Sequence, residues 1–551
     1  MTDTRAPVQI LLDHAKATPH ELWLSQPVAG RTHTYTWAQA AEMVGRMAAA
    51  LKAQGWPAGS AVAISGFNTA HWFLADFAIQ MAGFVPVGLY PKQAASATRY
   101  ICEHCEAKAV FLGPMMDGPE FVASLPPGML KIRLPYPTAP HGDTDWDAFA
   151  SGHAPLRSYV APDPDATLTL IYTSGTTGHP KGAMITPRNL AFAATSLLAL
   201  LPPGRNERLF SYLPLAHLLE RGVVEMASLY WHAEVHFLEK LELMAEQLPK
   251  VAPTRFAAVP LVWTRFHSGI TAKIPEGRLR LLMKIPILGR LLRRRLLTRL
   301  GLQNLRSCFS GAAPLPKATI EFFRDILGIE ILEAYGMTEN CAYVSCGLPG
   351  TTRVGSVGKP HPNAGFRLSD EGEIQVKHPG VMKGYHKDPE RTRETFTEDG
   401  WLKTGDKGRV DGDGYLYITG RVKDIFKTLK GKYVAPAPIE GAMARNTDID
   451  QLCLVGMNLT QPVMMITLTP GARAKAKADL EAGLLSSLDD VNRGLEEHEK
   501  IAKLLVTNDT WSIDNGFMTP TLKVRRNVVE ERYGAFIDRE AKVRETRLAW
   551  Q

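Results

Sequence analysis

The chain has 551 residues, 63 Lys and Arg against 56 Asp and Glu, a net charge of +7, 45% hydrophobic residues and 22% charged ones. So much apolar surface excludes a disordered chain, and the length allows about three or four folding units. A mild basic excess with no aromatic-studded basic tract argues against nucleic acid as a partner.

Six cysteines make no disulfide framework, and the start, MTDTRAPVQILLDHA, lacks the basic–apolar–small pattern of a signal peptide. A cytoplasmic protein is expected, with a peripheral place on the inner face of a membrane as a second reading. In chain order, residues 37–54 have the period of a helix, 61–65 that of a buried strand, 71–81 a helix and 84–89 a strand. Neither 71–90, with Asp76 and Pro86, nor 190–201, cut short by Pro202 and Pro203, can span a membrane. Cys102 and Cys105 form a lone pair with no second pair among Cys308, Cys341, Cys346 and Cys453, so two reduced thiols on a helix are expected rather than a zinc site. The strand rhythm returns at 109–112, 168–172, 257–259 and 330–333.

Strands interleaved with helices predict an α/β fold with layered sheets in a large N-terminal domain. Residues 273–299 carry nine cations against the single acid Glu276, with leucines between them. Such a segment is either a solvated helix with its leucines in the core or a face resting on anionic lipid headgroups. The texture changes after about Asp406: a turn at 411–414, a strand at 415–419, a polar stretch at 420–423, then strands at 452–455 and 463–468 and a charged helix at 485–505. The expected division is a large domain, 1–420, and a small mobile α+β lid, 421–551.

The densest chemical signal is YTSGTTGHPKG at 172–182, directly after a strand. Glycines let successive N–H groups point into one concavity, hydroxyls add donors and Lys181 adds a point charge, which together suit a polyphosphate. The spacing is not that of a Walker A loop, and no helix opens at the lysine. A helix is instead expected after Thr186 as N-cap and Pro187.

At this motif the chain resembles the adenylate-forming superfamily of acyl-CoA synthetases, peptide-synthetase adenylation domains and luciferases. FSYLPLAHLLER at 210–221 is similar to the signature of long-chain fatty acyl-CoA synthetases. SGAAP at 310–314, EAYGMTE at 333–339, DGWLKTGD at 399–406, GRVKD at 420–424 and TPTLK at 519–523 follow in the family's order. The resemblance implies ATP, Mg²⁺ and CoA as co-substrates and cofactors. Thr173, Ser174, Gly175, Thr176, Thr177, Gly178 and Lys181 would hold phosphates. Gly311, Ala312 and Ala313, with Glu333, Ala334, Tyr335, Gly336 and Met337, would enclose adenine. Thr338 can donate to the α-phosphate, and Glu339 offers a carboxylate to Mg²⁺. Asp406 can accept from both ribose hydroxyls and Arg421 can reach ribose or phosphate.

By the same resemblance Lys523 completes the site when the small domain closes, Lys423 is the hinge and Gly431 lies near the pantetheine tunnel. His217 occupies a position by the acyl pocket; a satisfied core histidine is the competing reading. One departure is the lysine-rich turn Lys427–Lys432, whose charge would suit CoA phosphates or an acidic acyl carrier protein. The implied reaction makes acyl-AMP from a medium- or long-chain fatty acid and then passes the acyl group to CoA. The alternatives are an acyl-acyl carrier protein synthetase, an aryl-CoA ligase and a silent lipid- or nucleotide-binding homologue, working as monomer or homodimer.

Overall fold

Why apolar runs alternate with helices becomes visible in a computed structural model that describes residues 5–173, 179–519, 523–543 and 545–551. The runs Ala61–Ser65 and Val85–Leu89 are neighbouring parallel strands, buried on both faces, and so lack a polar alternation. Between them, helix Ala70–Met81 is buried at every position, with Thr69 accepting the Trp72 N–H as its cap. These strands lie in an eight-stranded sheet that also carries Ala109–Leu112, Thr169–Thr173 and Lys181–Ile185. Helix Trp37–Lys52, started by the reciprocal Thr36–Gln39 capping box, packs on helix Ala70–Met81, and Trp37 stacks on Trp23 at 4.6 Å.

A five-stranded sheet begins with the parallel strands Arg255–Ala258, Ser307–Ser310 and Ile331–Tyr335. A third sheet joins Arg208–Ser211 and Glu234–Phe237 to the N-terminal hairpin Leu22–Val28 and Arg31–Thr36. An antiparallel sheet follows, in which Leu402–Val410 pairs with Leu416–Arg421. The carboxyl ends of Ser307–Ser310 and Ile331–Tyr335 lead straight into the two segments expected to hold adenine. That is where α/β sheets place their ligands.

The C-terminal unit has the hairpin Phe426–Lys427 and Tyr433–Val434 and a sheet of Ile449–Val455, Val463–Leu468, Lys503–Val506 and Leu548–Trp550. The fold is α/β with a large N-terminal and a smaller C-terminal domain, as expected. The expected helix at 485–505 requires correction: helix Lys477–Arg493 stops and Lys503–Val506 is a fully buried strand. Asn492 ends the helix by clasping the Ile501 backbone, Nδ2 to O at 2.9 Å and N to Oδ1 at 2.8 Å. The apolar run beyond it then fills the sheet centre between two parallel neighbours.

Residues 273–299 fold into two helices, Glu276–Met283 and Pro286–Leu300. They meet at Gly289, where a Cβ would lie 2.8 Å from the Met283 carbonyl oxygen. Cys102 and Cys105 are buried free thiols, both pushed up to about 12 by burial. Among the described residues no helix is long and apolar enough to cross a membrane.

Candidate active site

Strand Thr169–Thr173 delivers the chain to the glycine–threonine loop, and Lys181–Ile185 takes it away antiparallel, so Thr173 and Lys181 are cross-strand partners. Ser174, Gly175, Thr176, Thr177 and Gly178 lie outside the described residues. Thr186 and Asn189 form a capping box after strand Lys181–Ile185, with Pro187 in the first turn, as the sequence predicts. Lys181 is half-buried, with Nζ 5.1 Å from the centre of the Tyr385 ring. Burial lowers its pKa, the Arg391 and Lys423 cations lower it further, and Glu339 opposes them.

Strand Ile331–Tyr335 ends in a tight fold. Gly336 passes so close to Ala342 that a Cβ there would sit 2.3 Å from the Ala342 carbonyl carbon, which leaves glycine as the residue that fits. Met337 donates its N–H to Asn340 Oδ1 at 2.9 Å, starting the single turn Thr338–Asn340. Cys341 and Ala342 then take φ of +51° and +56°, strain that the surrounding contacts hold in place. Thr338 and Glu339 are thereby buried and fixed.

Glu339 Oε1 accepts the Tyr385 hydroxyl at 2.7 Å. Burial and the neighbouring Glu339 carboxylate push the Tyr385 phenol well above its ordinary range, so it remains a donor. Sequence reasoning misses both Tyr385 and Arg391. The one cue for Tyr385 is Gly384-Tyr385 ahead of Asp388-Pro389, but Tyr385 lies 46 residues from Glu339. A single carboxylate suits Mg²⁺, which takes one or two from protein and fills its octahedron with phosphate and water oxygens. Glu339, with Tyr385 occupying one oxygen, fits that requirement.

Asp406 is also buried. Its Oδ2 accepts the Tyr335 hydroxyl at 2.8 Å and its Oδ1 accepts Arg421 Nε at 3.0 Å. Asp406 and Arg421 face each other across paired strands, which explains how residues 15 apart share one contact. Each carboxylate oxygen keeps a lone pair for a ribose hydroxyl. Gly311 lies under Ala334, where a Cβ would sit 3.2 Å from the Ala334 carbonyl oxygen, and Ala312 adopts φ +68°. Glu333 shares a sheet face with Tyr335. Burial raises its carboxyl to about 7, with the Leu315 and Gly355 N–H groups opposing the shift.

The C-terminal unit reaches this cleft. Lys523 is exposed, yet the protein around it and then Arg421 lower its pKa, while Asp406 and Asp424 oppose the shift. The Thr519 N–H donates to the Lys523 carbonyl at 2.8 Å and the Lys523 N–H to Thr519 Oγ1 at 3.1 Å. An exposed ion pair, Lys92 with Asp514 at 2.8 Å, ties the same unit to the large domain.

His217 caps the short helix Leu218–Glu220, its Nδ1 accepting the Leu219 N–H at 3.1 Å. The ring proton is therefore on Nε2, and burial with the nearby Lys523 cation pulls its pKa down to about 4. His217 is a neutral N–H donor beside Lys523. Gly431, by contrast, stands apart: it turns the hairpin after Lys427 at φ +76°, open to solvent, with Leu429 68% and Tyr433 65% exposed beside it. Lys423 lies two residues beyond strand Leu416–Arg421 and acts on Lys181 through space.

Two groups of cations gather here: Lys181 with Arg391 and Lys423, and Lys523 with Arg421. Burial first and then the repulsion within each group lower Lys181 and Lys523, and a polyanion would relieve both. Together with the Asp406–Tyr335 pair and the Glu339–Tyr385 pair, these cations form a set of groups chemically suited to a nucleotide polyphosphate. The chain belongs to the AMP-binding enzyme family, which matches residues 11–386, and residues 423–542 match the AMP-binding enzyme C-terminal domain.

Among similar proteins is the long-chain-fatty-acid–CoA ligase FadD15 of Mycobacterium bovis, 31% identical over 96% of each chain. Solved structures of the same fold include the adenylation domain of a carboxylate reductase from Mycobacterium chelonae. It is 22% identical, with a TM-score of 0.82, covering 97% of this chain and 91% of that one. Another is the anthranilate CoA ligase AuaEII with anthranoyl-AMP, 20% identical, with a TM-score of 0.80, covering 97% of this chain and 98% of that one.

Proposed function

We propose that this chain joins a medium- or long-chain fatty acid to CoA in two steps. A carboxylate oxygen attacks the α-phosphorus of ATP, the bond to pyrophosphate breaks, and acyl-AMP forms. The CoA sulfur then attacks the acyl carbon, its proton is lost, and AMP leaves. The fatty-acid class rests on the likeness to FadD15 over almost the whole length of both chains.

One observation carries the reading: Lys523, from the C-terminal unit, comes near enough to His217, Arg421 and Asp406 for their charges to act on one another. Two anions must meet in the first step, so cationic and N–H donors have to converge on the α-phosphate. Lys523, the Nε2–H of His217 and Thr338 would supply those donors. Asp406 and Tyr335 orient the nucleoside, while Lys181 and Arg391 draw off the charge of the leaving pyrophosphate. Mg²⁺, held by Glu339, would neutralise phosphate oxygens.

This arrangement serves adenylation. For the second step we propose that the chain divides into 1–420 and 421–551, turning at Lys423 to exchange Lys523 for the Gly431 hairpin. The exposed Lys427, Lys430 and Lys432 on that hairpin would meet the CoA phosphates. Pyrophosphate release measured across fatty and aromatic acids, with CoA, with acyl carrier protein and with neither, tests the assignment. Turnover of fatty acids that needs CoA is expected. Preference for an aryl acid, or for the carrier protein, would replace it.

A further inference from the structure

Five of the sixteen large apolar side chains that stand exposed among the described residues lie within eleven positions, 281–291. Ile287 is 77% exposed, Leu281 66% and Leu291 62%, with Ile285 and Leu288 beside them. They cap the corner where helices Glu276–Met283 and Pro286–Leu300 meet.

The second helix divides its residues sharply. Leu292, Leu296, Leu297 and Leu300 pack on the core around Phe256 and Trp263, and Arg293 donates Nε to the Ile326 carbonyl at 3.0 Å. At helical spacing Ile287, Leu288 and Leu291 share the opposite face with Arg290, Arg294 and Arg295. Those three arginines and Lys284 are exposed and form no ion pair among the described residues. Arg280 differs, being paired with Glu276 and Asp325.

We propose that this corner is a docking surface for an anionic lipid bilayer. Apolar knobs at the tip with unpaired cations along the flanks are what an interface helix needs: the knobs enter the acyl boundary while the cations stay at the headgroups. A second copy of the chain is disfavoured by charge, since a two-fold contact would set Arg290, Arg294 and Arg295 against themselves. The proposal goes beyond the ligase reading and does not depend on it. Where both hold, a fatty acid dissolved in the bilayer is concentrated at the surface the enzyme occupies.

The test is co-sedimentation of the full chain with vesicles of phosphatidylcholine plus phosphatidylglycerol, and with phosphatidylcholine alone. Two variants accompany it: Ile287→Ser/Leu288→Ser/Leu291→Ser and Arg290→Gln/Arg294→Gln/Arg295→Gln. All six positions are exposed, so unchanged thermal unfolding and unchanged adenylation of a short soluble acid serve as controls. Binding to the anionic vesicles at low salt is expected, weakened about tenfold or more by either variant. It should fade as salt shortens the Debye length to about 3 Å near 1 M. No binding at low salt, or equal binding by wild type and both variants, overturns the proposal. A concentration-dependent dimer that the serine variant abolishes, with vesicles ignored, gives the face to a second copy and overturns it as well.

Discussion

Tyr385→Phe removes one oxygen and leaves the ring, so the contact of Lys181 with the ring face at 5.1 Å is kept while the 2.7 Å hydrogen bond to Glu339 is lost. A hydrogen bond to a charged group contributes about 1.5–3 kcal/mol. If that energy holds Glu339 in the geometry Mg²⁺ needs, adenylation at limiting Mg²⁺ should fall about 10- to 150-fold. Part of the loss should return as Mg²⁺ is raised, because the carboxylate itself remains. The assay is pyrophosphate release against free Mg²⁺ at saturating ATP, with thermal unfolding followed in parallel. A folded variant whose rate and Mg²⁺ dependence stay within about twofold of wild type would refute the positioning role.

Asp406→Ala strips Tyr335 and Arg421 of their shared acceptor as well as removing the ribose contact, so KM for ATP should rise at least about tenfold and stability should drop by about 1–3 kcal/mol. Asp406→Asn keeps an acceptor and should fall between alanine and wild type; nucleotide titration and melting curves check both. Glu220 is buried, accepts from Ser211, Tyr212 and Asn68, and is pushed up to about 8 by burial. Its raised pKa gives stability that is complete below the unfolded value near 4.5 and is lost as pH rises through about 8. Glu220→Gln should flatten the decline of Tm over that window, and an unaltered Tm–pH profile would show Glu220 ionised in the folded protein.

Much of the fold was legible because its signals are local. Strands Ala61–Ser65, Ala109–Leu112 and Val463–Leu468 are apolar runs with Ser65 and Thr467 as their polar members, and their observed bounds match the expected ones. The caps at Thr36 and Thr186 are set by residues three apart. What escaped is long-range. Charged residues about 485–500 suggest one helix through to 505, and only the Asn492–Ile501 clasp and the pairing of Lys503–Val506 within the sheet end it. The nucleotide motifs name Glu339 but not its partner, since Tyr385 arrives on the edge strand Gly384–Tyr385 of a different sheet. Periodicity marks 273–299 as amphipathic but cannot reveal that two helices meeting at Gly289 leave Ile287, Leu288 and Leu291 uncovered.

The central claim is that Lys523 acts in the first half-reaction alone, and Lys523→Ala followed in separate single-turnover measurements tests it most directly. Acyl-AMP formation from fatty acid and ATP should fall by two or more orders of magnitude, roughly 3 kcal/mol or more of transition-state stabilisation. ATP affinity should change little, and supplied acyl-AMP should still yield acyl-CoA at close to the wild-type rate. Equal loss of both half-reactions, or adenylation left intact, would contradict the account.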